Sequence, residues 1–210
     1  MKKKIHWLDE SKIRSHYLRN EKERKADLAY IPPLLGRFKS VIDFGGSCGY
    51  LLDLLKAEVK ILVDIDPQAR KIAKKKGYQV FKDIKKSPQV EVITMVDVLE
   101  HLSSEEFLEL LPWLNEKLAI GGKLFIQTIN PYCFLAPADF WNDFSHKRMW
   151  GPRTLMALLE ASGFKVINQG YYTQIGFRRD KKIFLIRMLL FSLPHHWLQY
   201  NYYLVAKKIK

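Results

Sequence analysis

A chain of 210 residues with 48% hydrophobic content carries enough apolar material for one core, which excludes a disordered polypeptide and points to a single domain with additions. Its formal net charge of +13 concentrates around residues 2–4, 70–76, 82–86 and 178–182, as either a solvated surface or one that attracts phosphates and anionic headgroups. Two cysteines, Cys48 and Cys133, are too few for a disulfide framework and show no metal-ligand spacing, and the basic start MKKKIHWLDESKIR lacks the apolar run of an export signal; a reducing cytoplasm is the expected compartment.

In chain order, residues 9–30 place Ile13, Tyr17, Leu18 and Leu28 at spacings that suit amphipathic helices, and Pro32-Pro33 interrupts any continuation. This flank over residues 1–39 reads either as a lid before the first strand or as a poorly ordered basic arm. Residues 41–55, VIDFGGSCGYLLDLL, then read as a buried strand, a glycine-rich turn and a helix start. Gly45, Gly46 and Gly49 allow backbone angles and close approaches that a side chain forbids, so a nucleoside-bearing ligand can lie against main-chain N–H groups. The dinucleotide fingerprint fails, because Ser47 and Tyr50 stand where it requires glycine.

Residues 59–64 form a second apolar strand, and Asp64 falls about 20 positions beyond the glycine loop, where nucleoside-binding folds place a ribose acceptor. Asp66 before Pro67 is the expected N-cap of a basic helix over 67–76, which Gly77 ends; a third strand over 78–81 leads to Asp83. The apolar run 90–98 is the fourth strand, and Ser103 with Glu106 makes a capping box for a helix over 104–118, bent at Pro112. Gly121-Gly122 should start the fifth strand. The aromatic stretch 130–150 gathers Asp139, Asp143 and His146, and a loop of that length is expected to arch over the crevice. A helix over 152–162, a sixth strand that 164–167 begins, a basic apolar insertion at about 175–199 and a last strand over 200–208 complete the reading. The most apolar run, 183–193, contains Arg187 and falls well short of the roughly 20 residues of a membrane span. It could still lie along a membrane interface, or cover a sheet edge or a dimer contact.

Several of these strings share one pattern. Asp43, Gly45 and Gly49 with Asp64 and Asp83 at successive strand ends, VLEHL at 98–102, LAIGGKLFIQTIN at 118–130, the Asp-Phe-Ser-His-Lys-Arg segment at 143–148, and ALLEASGFKVI at 157–167 resemble class I S-adenosylmethionine-dependent methyltransferases. The likeness is to the small-molecule enzymes of quinone biosynthesis. It departs at Ser47, where a middle glycine is commonest, and at Ile120, where proline is common.

The resemblance implies an α/β fold with a doubly wound, mostly parallel seven-stranded sheet, helices on both faces and an antiparallel last strand, over residues 40–210. It implies S-adenosylmethionine bound by Asp43, Gly45, Gly46, Gly49, Asp64, Ile65, Asp83, Ile84, Val96 and Asp97. For a hydroxyl acceptor, His146 oriented by Asp143 is the expected general base, with His101 second, since both lie at expected crevice edges. The expected acceptor is a small or amphiphilic molecule. Two rivals stand beside it: an RNA methyltransferase, which the charge suggests although the fourth strand ends in Asp97-Val98-Leu99-Glu100, and a catalytically silent cofactor-binding scaffold.

Overall fold

The computed structural model describes residues 21–134, 136–172 and 195–210. Most of the expected 175–199 insertion and the first part of the N-terminal flank lie outside them. Two short helices, α1 (Glu21–Leu28) and α2 (Ile31–Leu35), precede β1 (Ser40–Phe44). Then come α3 (Tyr50–Leu54), β2 (Val59–Val63), α4 (Pro67–Lys75), β3 (Gln79–Phe81), β4 (Val90–Val96), α5 (Ser104–Lys117), β5 (Leu118–Ile129), α6 (Ala136–Asn142), α7 (Pro152–Ala161), β6 (Phe164–Tyr172) and β7 (Asn201–Lys208). The sheet order is β3-β2-β1-β4-β5-β7-β6. Strands β1 to β5 pair in parallel, and β7 runs antiparallel between β5 and β6.

The strands read as continuous apolar runs because both faces of the sheet are covered. Successive side chains alternate between two cores: Ile42, Ile93, Met95, Leu124 and Ile126 pack with Phe107, Leu111 and Leu155 on one face. Val41, Leu62, Val92 and Phe125 pack with Leu28, Leu35, Leu52 and Ala73 on the other. Phe107 is fully buried and meets Trp150 edge-on, with ring centroids 5.0 Å apart. Phe107→Ala is expected to cost about 3–5 kcal/mol of stability, measured by denaturant unfolding, through the cavity it leaves.

The local signals act where expected at Asp66, whose side chain accepts from the Gln68 N–H at 2.9 Å, and at the Ser103–Glu106 capping box. Four boundaries differ. Pro32-Pro33 occupy the first turn of α2, where a missing N–H costs nothing, so they open a helix after the break at Ala29-Tyr30. Strand β4 stops at Val96 because Asp97 takes a left-handed backbone, φ 54°. Strand β5 starts at Leu118, directly from α5, and Gly121-Gly122 form a bulge inside it, where the register jumps between Val90 and Val92. A side chain at Gly122 would meet the Glu91 carbonyl at 2.7 Å. Finally, the 130–150 stretch, expected as a loop, contains α6, while β6, which begins at Phe164 as expected, runs on to Tyr172. No helix among the described residues is long and apolar enough to cross a membrane.

Candidate active site

Parallel pairing carries the C-terminal ends of β1 to β4 to one edge of the sheet, and each ends in or near an aspartate: Asp43, Asp64, Asp83 and Asp97. In an open α/β sheet this edge is the ligand crevice. Asp64 organises one side of it. Its Oδ2 accepts from the Ser47 N–H at 2.9 Å and its Oδ1 from the Asp66 N–H at 2.8 Å, which ties the glycine loop to the end of β2. Each oxygen keeps a second lone pair for a ligand hydroxyl.

The glycines are needed partly for the protein's own packing. A Cβ at Gly45, φ 70°, would meet Val98 at 2.4 Å, and one at Gly46 would meet the Asp43 carboxylate at 2.3 Å. Gly49, φ 74°, opens α3. Asp43 is buried beneath this loop, held by a 2.7 Å hydrogen bond from the Thr94 hydroxyl. Burial pushes its carboxyl up to about 7, against the opposing pull of Thr94 and Arg24. Its folded pKa thus lies above the unfolded value of 3.8, so the stability it contributes is complete below about pH 3.8 and is lost as pH rises through about 7. Asp43→Asn is expected to flatten that fall, read as a smaller drop in Tm between about pH 5 and about pH 8.

Asp97 is the hub of the far side. Arg24 of α1 approaches its Oδ2 at 2.9 Å, while Gln127 and Asn201 donate to its Oδ1 at 2.7 and 3.3 Å. Tyr30 in turn donates to Gln127 and stacks on Tyr172, centroids 4.0 Å apart. Burial works against the Arg24 charge, and the neighbouring carboxylates of Asp97, Asp27 and Asp43 more than restore it. Helix α1 thus brings the Arg24 guanidinium to Asp97 at the end of β4. Among non-glycine residues described, only Ser47 and Asp97 have positive φ, at 50° and 54°. Strained backbone of this kind gathers at functional sites.

Beyond Asp97, the β4 end enters a 3₁₀ turn at Leu99–His101. The backbone N–H groups of Lys147 and Arg148 donate to the Glu100 carbonyl at 2.8 and 3.3 Å, fastening the 143–148 segment beside it. This brings His101 and His146 together, ring centroids 4.7 Å apart. Ser145 donates its hydroxyl hydrogen to Asp143 Oδ1 at 2.6 Å, so its oxygen accepts from the His101 Nδ1–H at 3.0 Å. His146 donates from Nδ1 to the Phe140 carbonyl at 2.9 Å, and its Nε2 stands 3.9 Å from Asp143. Asp143 thus orients His101 through Ser145, while its contact with His146, the histidine it was expected to orient, is the longer 3.9 Å one. Desolvation, with His146 nearby, lowers the His101 pKa. The Ser145 hydrogen bonds overcome burial and hold Asp143 below the usual carboxylate range.

Of the remaining expected residues, Ile84 is buried, 3% exposed, in the core cluster that also holds Ile42, Val63 and Phe107. Val96 packs in the opposite core. Asp83 caps the turn Ile84–Lys86 by accepting from Lys85 N–H at 3.0 Å. Ile65, in contrast, is 71% exposed beside Asp64. Arg24, Tyr30, Gln127, Ser145 and Asn201 were not expected as site residues, although Gln127 and Ser145 lie within strings that carry the family resemblance; only folding shows that they meet.

The loop packing, the aspartates at strand ends and the arginine beside Asp97 together suit a polar nucleoside carrying its own charges. A family model described as a methyltransferase domain matches residues 14–169. Among solved structures, a SAM-dependent methyltransferase from Archaeoglobus fulgidus aligns with a TM-score of 0.74 at 23% identity, covering 98% of this chain and 100% of that one. The N-methyltransferase NodS from Bradyrhizobium japonicum, in complex with S-adenosyl-L-homocysteine, aligns at 0.62 with 14% identity, covering 90% and 87%. A methyltransferase bound to the Trm112 activator from Haloferax volcanii aligns at 0.66 with 14% identity, covering 90% and 89%. No curated protein matches the chain. The chain belongs to the class I S-adenosylmethionine-dependent methyltransferases, and S-adenosylmethionine is its methyl donor.

Proposed function

We propose that this methyltransferase acts on a hydroxyl of a small or amphiphilic acceptor, and that His101 takes the hydroxyl proton. The observation that carries the reading is the Asp143–Ser145–His101 chain at the crevice edge. It fixes the Nδ1–H tautomer, leaves Nε2 with a lone pair, and places a carboxylate behind the imidazolium that forms. His146 lies against the same ring and is the alternative acceptor of the proton. When bound, S-adenosylmethionine supplies an electrophilic methyl on a sulfonium that needs no further activation. Asp64 would hold its ribose, Asp83 and the exposed Ile65 its base, and Arg24 with Asp97 its amino-acid end. The chain's remaining contribution is to align the acceptor and exclude water.

The 130–150 stretch, which would wall the acceptor side in this reading, exposes Tyr132, Phe134, Trp141 and Phe144, Trp141 at 78%. Such a rim suits an amphiphile better than a sugar or a free amino acid. Incubating the purified chain with methyl-labelled cofactor and cell extract, fractionated into lipid, small-molecule and RNA pools, should label the first or second pool with an alkali-stable methyl ether. Label confined to RNA, with binding to bulk tRNA that falls steeply with salt, would instead support the reading that the +13 charge favours.

A further inference from the structure

Glu100, His101 and His146 place one ligand-capable atom each within 4.8 Å of the others. Glu100 is 2% exposed and its Oε2 accepts from the Thr128 hydroxyl at 2.8 Å. The hydrogen-bond partners fix what the trio offers. Both imidazoles spend their Nδ1 hydrogens elsewhere, on Ser145 and on the Phe140 carbonyl, and so keep Nε2 lone pairs. A histidine whose other ring nitrogen is tied to a carbonyl or a carboxylate-backed group is the usual arrangement of a metal ligand.

We propose that Glu100, His101 and His146 bind one zinc-class divalent cation, in competition with the acceptor's proton for the same lone pairs. Two nitrogens and one carboxylate oxygen are a known ligand set for zinc, with a fourth position left for water. Magnesium and calcium prefer oxygen ligands throughout, which sets this site against them. Bonds of about 2.1 Å to a tetrahedral ion require ligand atoms about 3.4 Å apart, so atoms now within 4.8 Å of one another close by up to about 1.4 Å. Small rotations of the two imidazoles about their Nδ1 hydrogen bonds would supply that movement. The outer partners are in place: Thr128 on Glu100, Ser145 and Asp143 on His101, and Phe140 on His146.

The binding claim stands on geometry, while its consequence, inhibition of methyl transfer by zinc, rests on the base reading above. The test titrates the metal-stripped full chain with Co²⁺, followed by visible absorption, and with Zn²⁺ by calorimetry. The expected result is one ion per chain at micromolar or tighter affinity, with the strong visible bands of four-coordinate cobalt. His146→Gln and Glu100→Gln should abolish the bands, and Ser145→Ala should weaken binding by roughly 10-fold or more as an outer partner. Circular dichroism and S-adenosylhomocysteine binding check each variant's fold. A wild-type chain that binds S-adenosylhomocysteine but gives no cobalt band overturns the metal site and leaves the methyltransferase reading intact. Cobalt binding that survives in a folded His146→Gln chain also overturns it. Loss of the bands in the variants, in a chain whose histidines prove dispensable for turnover, supports the metal site and removes the base.

Discussion

Asp64→Ala is expected to raise the dissociation constant for S-adenosylmethionine or S-adenosylhomocysteine by roughly 10- to 150-fold, equivalent to about 1.5–3 kcal/mol. Two losses add. The ribose hydroxyls lose a charged acceptor, and the Ser47 N–H loses the 2.9 Å hydrogen bond that pins the glycine loop to β2. Asp64→Asn separates them, since the amide can still accept from one N–H while presenting a donor where a carboxylate oxygen stood. Calorimetry on both variants, with thermal unfolding to verify the fold, decides the matter. An unchanged affinity in Asp64→Ala would remove Asp64 from the cofactor site.

The second large effect is on turnover. His101→Ala should lower kcat by roughly 10²–10⁴-fold with the cognate hydroxyl acceptor and abolish the acidic limb of the pH profile. The sign follows from its surroundings: desolvation and His146 lower the His101 pKa, so the base stays neutral at neutral pH and is lost only on acidification. Ser145→Ala should shift that limb and cut kcat by a smaller factor, with KM little changed, because it alters tautomer and orientation and leaves the imidazole in place. If turnover persists in His101→Ala and in His146→Ala alike, the proton leaves by a route that uses neither ring.

The strand-end aspartates and the glycine loop were legible because their parts are local. Asp43 with the glycines, Asp64 after β2 and Asp83 after β3 are each read from a few adjacent residues, and parallel pairing brings successive strand ends together without further information. The sheet was legible for the same reason, since buried parallel strands announce themselves as apolar runs. The acceptor half depends on meetings across long stretches of chain. Glu100 meets Lys147, Arg24 meets Asp97, and Gln127 meets Tyr30, each pair fixed by packing and not by spacing. Asp143 illustrates the limit: its proximity to His146 in sequence suggested that pair, whereas the turn sends its hydrogen bond to Ser145 and thence to His101. Ile84 shows the converse, a position beside a motif residue whose side chain the core claims.

The placement of β7 between β5 and β6 bears on how the chain is made. Among the described strands, β6 pairs only with β7, which emerges from the ribosome after the others. Until it arrives, β5 presents an unpaired edge and β6 has nowhere to join, so five parallel strands must wait as an unfinished sheet. That nascent edge, running through Phe125 and Ile126, is the stretch most exposed to pairing with a neighbouring chain. A stop codon ahead of residue 201 would therefore remove two strands at once, together with the Asn201 contact to Asp97, and leave a sticky product in place of a merely shortened one.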